Sequence, residues 1–568
     1  MQQVMKKTAY ITIIGIVFMA LGCSEEFLER KDLYHKVDEN YFQTAEDIEE
    51  ALAGAYAAIP IDAGNNNPII VANLLSDDHT SGGGSNDVDG FGATDRFDIV
   101  DPNYYEYLFN TNWEGILRVN LIIKRFDQAE FDNEEDRNQA LGEAHFLRAF
   151  FYFRLSKFFG PVPLKLDPAP ANLPRATAEE MYGQIALDLK TAIELMKRER
   201  FGQISADRLG HATLWAAEAL MGRVFLFYTG YYNQSSLPLA DGGQVTQQEV
   251  VNWLDDCIQS SGHELLDDPR NNWTYANVNV NYPYAADNGL VWADGWIHPA
   301  SNIVLNRETV WAIKYSIYGG WSPTEGEELS YSNQNVLYSG LRQQSYVPFG
   351  QGWGAGPVIE QLWDSFEEGD VRREGSILNV IEPTVDEGPV ADNYIWGSDN
   401  QVEETGYWCK KYLPIYDSLP ETDRIVSIFY IEYEARDDMQ LWNMQDDILI
   451  RFADVMLMAA ELGSSNAQNY VDQIRDRAGL ASVPVSLDVI KAERRHEFVG
   501  EGIRYFDILR WHDVEAAFAE ATNFDVQNSG EPGTYVASYR PETGGFLPLP
   551  ETEILLSDGV LEQTPGWD

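Results

Sequence analysis

Trp273, Tyr275, Tyr282, Tyr284, Trp292 and Trp296 follow one another through a stretch otherwise rich in Asn277, Asn279, Asn281, Asp294 and His298, and the series runs on to Tyr318 and Trp321. Flat, rigid aromatic side chains cover an apolar face at little entropic cost, while the amides and carboxylates between them can bond hydroxyls. A sugar ring, with C–H patches on its faces and hydroxyls round its edge, suits that combination. Gly295, Gly319 and Gly320 leave Trp296 and Trp321 free of packing neighbours in sequence. Those two are expected as stacking platforms, with Trp292 behind them and Trp273 and Tyr318 in the same series. A second polar segment, Asp77-Asp78-His79-Thr80-Ser81-Gly82-Gly83-Gly84, leads to Asp87, Asp89 and Phe91; Asp78 and His79 are expected to contact hydroxyls. Trp311, beside Val310, Ala312 and Ile313, and Trp113, Trp215, Trp363 and Trp511, on helical patterns, read instead as core.

Carboxylates offer another chemistry. Glu493, Glu497 and Glu501 recur every four residues and share a helix face, with Arg494, Arg495, Arg504, Arg510 and Asp507 nearby. A carboxylate pair could hydrolyse a glycosidic bond; the favoured reading is a charge-paired helix clamped against the fold. Glu143 with Arg148, and Arg451 with Asp454, read as helix-packing ion pairs. No HExxH, GxSxG or P-loop motif occurs, and no catalytic residue is assigned. Asp87-Val88-Asp89-Gly90 carries oxygen ligands suited to calcium but lacks the rest of an EF-hand loop, so no cofactor is assigned and the question of a metal stays open. Cys257 and Cys409 form no CxxC pair; one disulfide and two buried thiols both remain possible readings.

The elements that must position these groups divide the chain. Lys6 and Lys7, then a mainly apolar run from Ile11 to Leu21, end on Gly22-Cys23. That run is too short to cross a bilayer of roughly 30 Å and suits a signal-peptide core. Gly22-Cys23 resembles the lipobox of bacterial lipoproteins, although Ala20 stands where leucine is usual, and Cys23 is the expected lipidation site. Residues 1–22 are then a signal peptide and 23–40 an acidic lipidated tether. Amphipathic helical patterns fill 41–232: Thr44 with Asp47 opens the first, Thr177 with Glu180 makes a capping box, and others cover about 109–128, 134–158 and 210–229. From 233 to 442 helical periodicity fades into Gly, Asn, Asp and Pro clusters, with a strand expected over Glu308–Ile317. Helices resume within 443–568, at Ile448 to Leu462, Ala467 to Ala478 and Leu487 to Trp511, and are expected to pack with the N-terminal helices as one unit. The fold class is mostly α: a tetratricopeptide-like scaffold of helical hairpins with a long, loop-rich, partly β middle region. The formal charge of -50, from 40 basic and 90 acidic residues, disfavours nucleic acid and polyanionic substrates.

Several motifs, in order, carry a resemblance. Glu143-Ala144-His145-Phe146-Leu147-Arg148-Ala149 is followed by Phe159-Gly160-Pro161-Val162-Pro163; Ala212-Thr213 and Ala216-Ala217 by Arg223-Val224-Phe225-Leu226; Arg451-Phe452-Ala453-Asp454-Val455 by Arg475-Asp476-Arg477-Ala478-Gly479. Glu493-Arg494-Arg495, Glu497-Phe498, Glu501-Gly502 and Arg504-Tyr505-Phe506-Asp507 follow, then Leu547-Pro548-Leu549-Pro550 and Gln563-Thr564-Pro565-Gly566-Trp567. Together they resemble the SusD/RagB family of outer-membrane nutrient-uptake lipoproteins. The resemblance implies a non-enzymatic, lipid-anchored protein at the cell surface. It would capture an oligosaccharide or polysaccharide for a SusC-type TonB-dependent transporter, and would meet the membrane only through its lipid. A RagB-type peptide-capturing subunit is the alternative within the family, and a secreted glycoside hydrolase the alternative outside it.

Overall fold

The computed structural model describes residues 41–567 apart from 61–65, 99–100, 206–207, 294–305, 317–318, 321–329, 420–421, 423 and 442. Cys23, Trp296, Tyr318 and Trp321 lie outside the described residues, as do all of residues 1–40, where the signal peptide and tether are expected.

Helix starts are written locally. Thr44 accepts the Asp47 amide while the Asp47 carboxylate accepts the Thr44 amide, opening α1 (Ala45–Tyr56). Asn67, with Pro68 in the first turn, opens α2 (Pro68–Leu74). After α3 (Glu106–Arg125), Asn133 caps α4 (Glu134–Phe159), which stops at Gly160 with φ of 70°. The Thr177–Glu180 box read from the sequence opens α5 (Ala178–Leu195). Thr213 caps α6 (Leu214–Tyr231), and Thr246 with Glu249 boxes α7 (Gln247–Ser260). Each such cap contributes about 1 kcal/mol. From α3 to α7 each helix packs on the next, giving the stacked hairpins expected of the sequence. Gly115 permits the closest approach: a Cβ there would fall 2.4 Å from the Phe151 ring.

The middle region has its own core, with Phe349, Leu378, Trp408 and Tyr412 among its buried side chains. Among the described residues no sheet exceeds two strands. The expected strand appears as β1 (Thr309–Ile313), followed by the short helix α8 (Gln334–Ser339) and the antiparallel pair β2 (Ile377–Asn379) and β3 (Tyr407–Cys409). β1 pairs antiparallel with β4 (Asp447–Arg451), Trp311 opposite Ile450, so one ribbon joins the two ends of the region. The helix expected from Ile448 therefore starts four residues later, as α9 (Phe452–Glu461), because Ile448, Leu449 and Ile450 suit a strand once a partner is at hand.

α10 (Ala467–Arg477) and α11 (Leu487–Glu497) follow. The long helix expected over Leu487–Trp511 is broken before α12 (Arg504–Trp511). Gly500 and Gly502 in the break take φ of 72° and 69°, open to glycine at no steric cost. The Asn73 side chain fixes the turn, donating to the Gly500 carbonyl at 2.8 Å and accepting from the Gly502 amide at 3.0 Å. Phe151 and Trp215 share one hydrophobic cluster with Val455 and Tyr505, so helices from both sides of the middle region form a single frame. Trp311 is core as expected, meeting Phe146 and Phe150 edge-on at 4.8 and 4.9 Å. Cys257 lies in the frame core and Cys409 in the middle core, both as free thiols. No helix among the described residues is long and apolar enough to cross a membrane.

Candidate functional site

The carboxylates spaced four apart on and after α11 are consumed by ion pairs. Glu493 meets Arg475 at 2.5 Å and Arg372 at 2.8 Å; Glu497 meets Arg477 at 2.6 Å and Arg451 at 2.8 Å; Glu501 meets Lys411 at 2.8 Å and Arg451 at 2.9 Å. Glu308, just before β1, closes the cluster against Arg451 and Arg477, both at 2.6 Å. Burial alone would push the Glu497 carboxyl up, but Arg477, Arg451 and Arg372 outweigh it and hold the group well below the usual carboxylate range. The ion pairs tie all three carboxylates into the frame, the charge-paired clamp read from the sequence.

The polar segment at 77–84, expected to face a ligand, is built into the interior. Asp78 accepts from Arg495 Nε at 2.9 Å and Nη2 at 2.5 Å; Asp77 takes Arg504 Nε at 2.8 Å and Nη2 at 2.7 Å. His79 is buried, its Nδ1 2.8 Å from the Gly356 carbonyl oxygen, and burial lowers its pKa. The backbone from His79 to Gly84 bridges Val358, Ala355 and Gln401, which places it between two neighbouring segments like a central strand. At Gly82 a Cβ would strike the Gly354 carbonyl at 2.2 Å. The glycines therefore serve close backbone packing. Asp78 and His79 hold structure and do not present themselves to hydroxyls. Beyond them, the Asp87 carboxylate takes the Gly84 amide at 2.7 Å and Arg342 Nη1 at 3.1 Å. Among the described residues no group of three or more His, Cys, Asp or Glu side chains could hold a metal ion.

The aromatic series also turns inward where it is described. Trp273 is buried under Tyr412, with Lys411 Nζ 4.9 Å from its ring; Trp292 is buried, its amide bonded to the Ala276 carbonyl at 2.9 Å. Tyr275, Tyr282 and Tyr284 surround Lys410 at 5.4, 5.7 and 4.0 Å, and Glu387 pairs with the same ammonium at 2.5 Å. The asparagines between them are spent locally: Asn277 and Asn279 both donate to Glu432. The whole run from Asn272 to Asn277 is buried, and Tyr282 and Tyr284 pack inward between exposed Asn281 and Pro283, so Trp273 and Trp292 have no open face.

Two indoles that the sequence reading passed over do reach solvent. Trp353 is half-buried, 4.6 Å from Tyr338 of α8 and seated on Leu337 and Ala355. Trp396 is 38 % exposed and stands edge-on to Tyr394 at 5.2 Å; at Gly406, which it overlies, a Cβ would fall 2.9 Å from its ring. Glu404 brackets Trp396 from below, accepting from the Tyr394 hydroxyl at 2.7 Å and the Gly397 amide at 2.6 Å. Burial pushes the Glu404 carboxyl up to about 7. Arg342 ties the two neighbourhoods together, donating to the Trp353 carbonyl and to the Asp399 carbonyl, each at 3.0 Å. Asp87 and Asp399 flank it with side chains 38 % and 48 % exposed, leaving oxygens free for hydroxyl donors. In the local sequence only the neighbouring glycines, Gly352, Gly354 and Gly397, set Trp353 and Trp396 apart from core tryptophans.

The described residues that flank 294–305 and 321–329 are anchored near residues 271–274 and Gln445. Ala293 donates to the Asn271 carbonyl and Asn306 to the Asn272 side chain, so residues 293 and 306 rest on one turn. Ser332 donates to the Gly320 carbonyl, and Asn333 and Thr274 both bond Gln445. α8 begins at the next residue and leads to Tyr338 beneath Trp353.

With that geometry in hand, comparison with known proteins is direct. The profile described as "SusD family" matches residues 390–567, and the one described as "Starch-binding associating with outer membrane" matches residues 26–226. The chain belongs to the SusD/RagB family. "SusD-like protein P25" of Formosa agariphila is 22% identical, with 98% of each chain covered, and a "SusD-like protein" of Bacteroides ovatus is 21% identical over 90% of this chain and 83% of the relative. Among solved structures, surface glycan-binding protein A from Bacteroides fluxus superposes with TM-score 0.70 at 24% identity, covering 92% of this chain and all of that one. A "Laminarin binding SusD-like protein" gives the same values, and surface glycan-binding protein A from Bacteroides thetaiotaomicron "in complex with laminarihexaose" gives 0.69 at 20% identity, over 92% of this chain and 99% of that one. These likenesses establish the fold. The two family matches of this SusD/RagB chain hold most of the frame helices, with α10 and α11, while α7, Glu308 and Arg372 fall between them. The stretch between them, 227–389, holds Trp353 and the Trp273–Trp321 series.

Proposed function

We propose that this SusD/RagB protein captures a neutral glycan at the cell surface by stacking it on exposed indoles, and that it does so without cleaving it. The observation that carries this reading is the pair Trp353 and Trp396, both reaching solvent on braced supports, with Asp87 and Asp399 beside the arginine that links them. An indole fixed by packing loses little entropy when a sugar covers it, and neighbouring carboxylates bond the ring hydroxyls. The net charge of -50 favours a neutral ligand over a sulfated one. The fold neighbours named for laminarin and solved with laminarihexaose make a neutral glucan the first ligand to try. Trp296 and Trp321 belong to the proposal as further platforms, since the described residues flanking their segments lie beside Asn272 and Gln445. Lipidation at Cys23, residence at the outer-membrane surface and delivery to a SusC-type TonB-dependent transporter complete it.

Calorimetry of laminarihexaose with soluble protein lacking residues 1–23 tests the site. Stacked aromatic contacts are worth roughly 0.5–1.5 kcal/mol beyond their buried area, so Trp353→Ala and Trp396→Ala should each weaken binding by about tenfold once that area is included. Binding left intact in these two variants and in Trp296→Ala and Trp321→Ala would overturn the stacking site. Release of reducing ends on incubation would overturn the non-catalytic reading.

A further inference from the structure

Where α4, α6 and α12 meet the β1–β4 ribbon, the frame holds a partly open cavity of about 120 Å³. Phe150, Phe153, Leu220, Phe227, Trp311 and Phe506 form its apolar walls, and the paired groups Arg223, Arg494, Arg510, Glu501 and Asp507 share the lining. Two cations three residues apart on one face of α4, Arg154 and Lys157, also line it. Arg154 donates to the Ile59 carbonyl at 2.8 Å and lies 4.4 Å over the Phe150 ring. Lys157 Nζ rests 4.1 Å from the centre of the Phe506 ring and 5.0 Å from that of Phe153. Among the described residues it has neither a hydrogen-bond acceptor nor an ion-pair partner beyond those rings. The nearby carboxylates are committed elsewhere: Asp454 to Arg223 and Arg494, Asp507 to Arg494 and Arg510, Glu501 to Lys411 and Arg451.

A half-buried ammonium without a counter-ion stands out beside the central arginines of the frame, of which Arg451 meets three carboxylates and Arg477 two. Burial, with Arg223 and Arg154 adding to it, pushes Lys157 down to about 7, so the group ionises readily when an anion arrives. We propose that the cavity is a binding site for a small carboxylate with an apolar body, the carboxylate between Lys157 and Arg154 and the body against the phenyl rings. An enclosed apolar cavity of about 150 Å³ accepts benzene, so a body of about that size sets the upper limit here. Inorganic phosphate and sulfate would satisfy the charge but leave the aromatic walls uncovered. The acidic exterior disfavours adventitious anion binding elsewhere.

Sodium benzoate is the probe, titrated calorimetrically into full-length mature protein at pH 7, with benzyl alcohol as the neutral isostere and sulfate as the apolar-free anion. The expected result is one benzoate per chain, bound at least tenfold more tightly than either control, and at least tenfold more weakly in Lys157→Met. Arg154→Met serves as the second variant should Lys157→Met fail to fold, and a benzoate-soaked crystal should place the carboxylate within hydrogen-bond distance of Lys157 Nζ. Absence of saturable benzoate binding, equal affinity for benzyl alcohol or sulfate, or unchanged affinity in whichever variant folds would each overturn the assignment.

Discussion

Asp78→Asn separates a structural from a ligand-binding role for the segment the sequence marked as polar and glycine-rich. Asp78 is buried and meets Arg495 through two N–H groups, whereas the Arg495 side chain keeps 20% exposure and has Asp77 within 3.6 Å. Removing one partner of a fully buried pair costs about 3–5 kcal/mol. Here the guanidinium retains water and a second carboxylate, so the cost is put at about 2 kcal/mol. With a urea m-value of about 3 kcal/mol/M or more for a chain of this size, the unfolding midpoint should fall by roughly 0.5 M. Tryptophan fluorescence in urea reads the midpoint, and calorimetry with laminarihexaose reads binding, which should stay within about twofold. A variant that keeps its midpoint but loses tenfold in glycan affinity would refute the reasoning and return Asp78 to the ligand.

Arg451→Met strips Glu308, Glu497 and Glu501 of a shared cation while leaving Arg477 and Lys411; a loss of about 3–5 kcal/mol is expected, read as a lower urea midpoint or as insoluble product. Lys157 titrates near 7 when folded and near 10.4 when unfolded, so the folded state holds fewer protons in that window and stability rises with pH through it. Lys157→Met should abolish that rise and be the more stable protein at pH 6, by urea melts at pH 6 and pH 9; identical pH profiles for the two proteins would refute it. Acid should act the other way on Asp454: Arg223 and Arg494 overcome burial and hold it at about 2, so its stabilisation is present above about pH 4 and disappears as pH falls through 2. Thiol titration in urea should count Cys257 and Cys409 as free without reductant, since each is buried in a different core.

The frame was legible because its signals are local. Thr44 with Asp47 and Thr177 with Glu180 declare helix starts within four residues, and Glu493, Glu497 and Glu501 declare a shared face. Where the reading failed, the deciding partner lay far away in sequence. Ile448–Ile450 became a strand because Thr309–Ile313 was there to pair, and the Leu487–Trp511 helix broke where Asn73 reached the Gly500–Gly502 turn. Burial of Trp273 and Trp292 is set by Tyr412, Lys411 and Phe429, none of them adjacent in sequence. Trp353 and Trp396 went unnoticed for the converse reason, since their exposure follows from how Tyr338, Glu404 and Arg342 are placed.

Asp77 and Asp78 wait for Arg504 and Arg495, which lie 427 and 417 positions further along the chain. A polypeptide threaded outward from its amino terminus must therefore carry this acidic pair unmatched until nearly the whole length has emerged. Fragments cut short before the last helices would show the cell's proteases an unlatched face, and only finished molecules would close it. Completion of the chain thus acts as its own inspection.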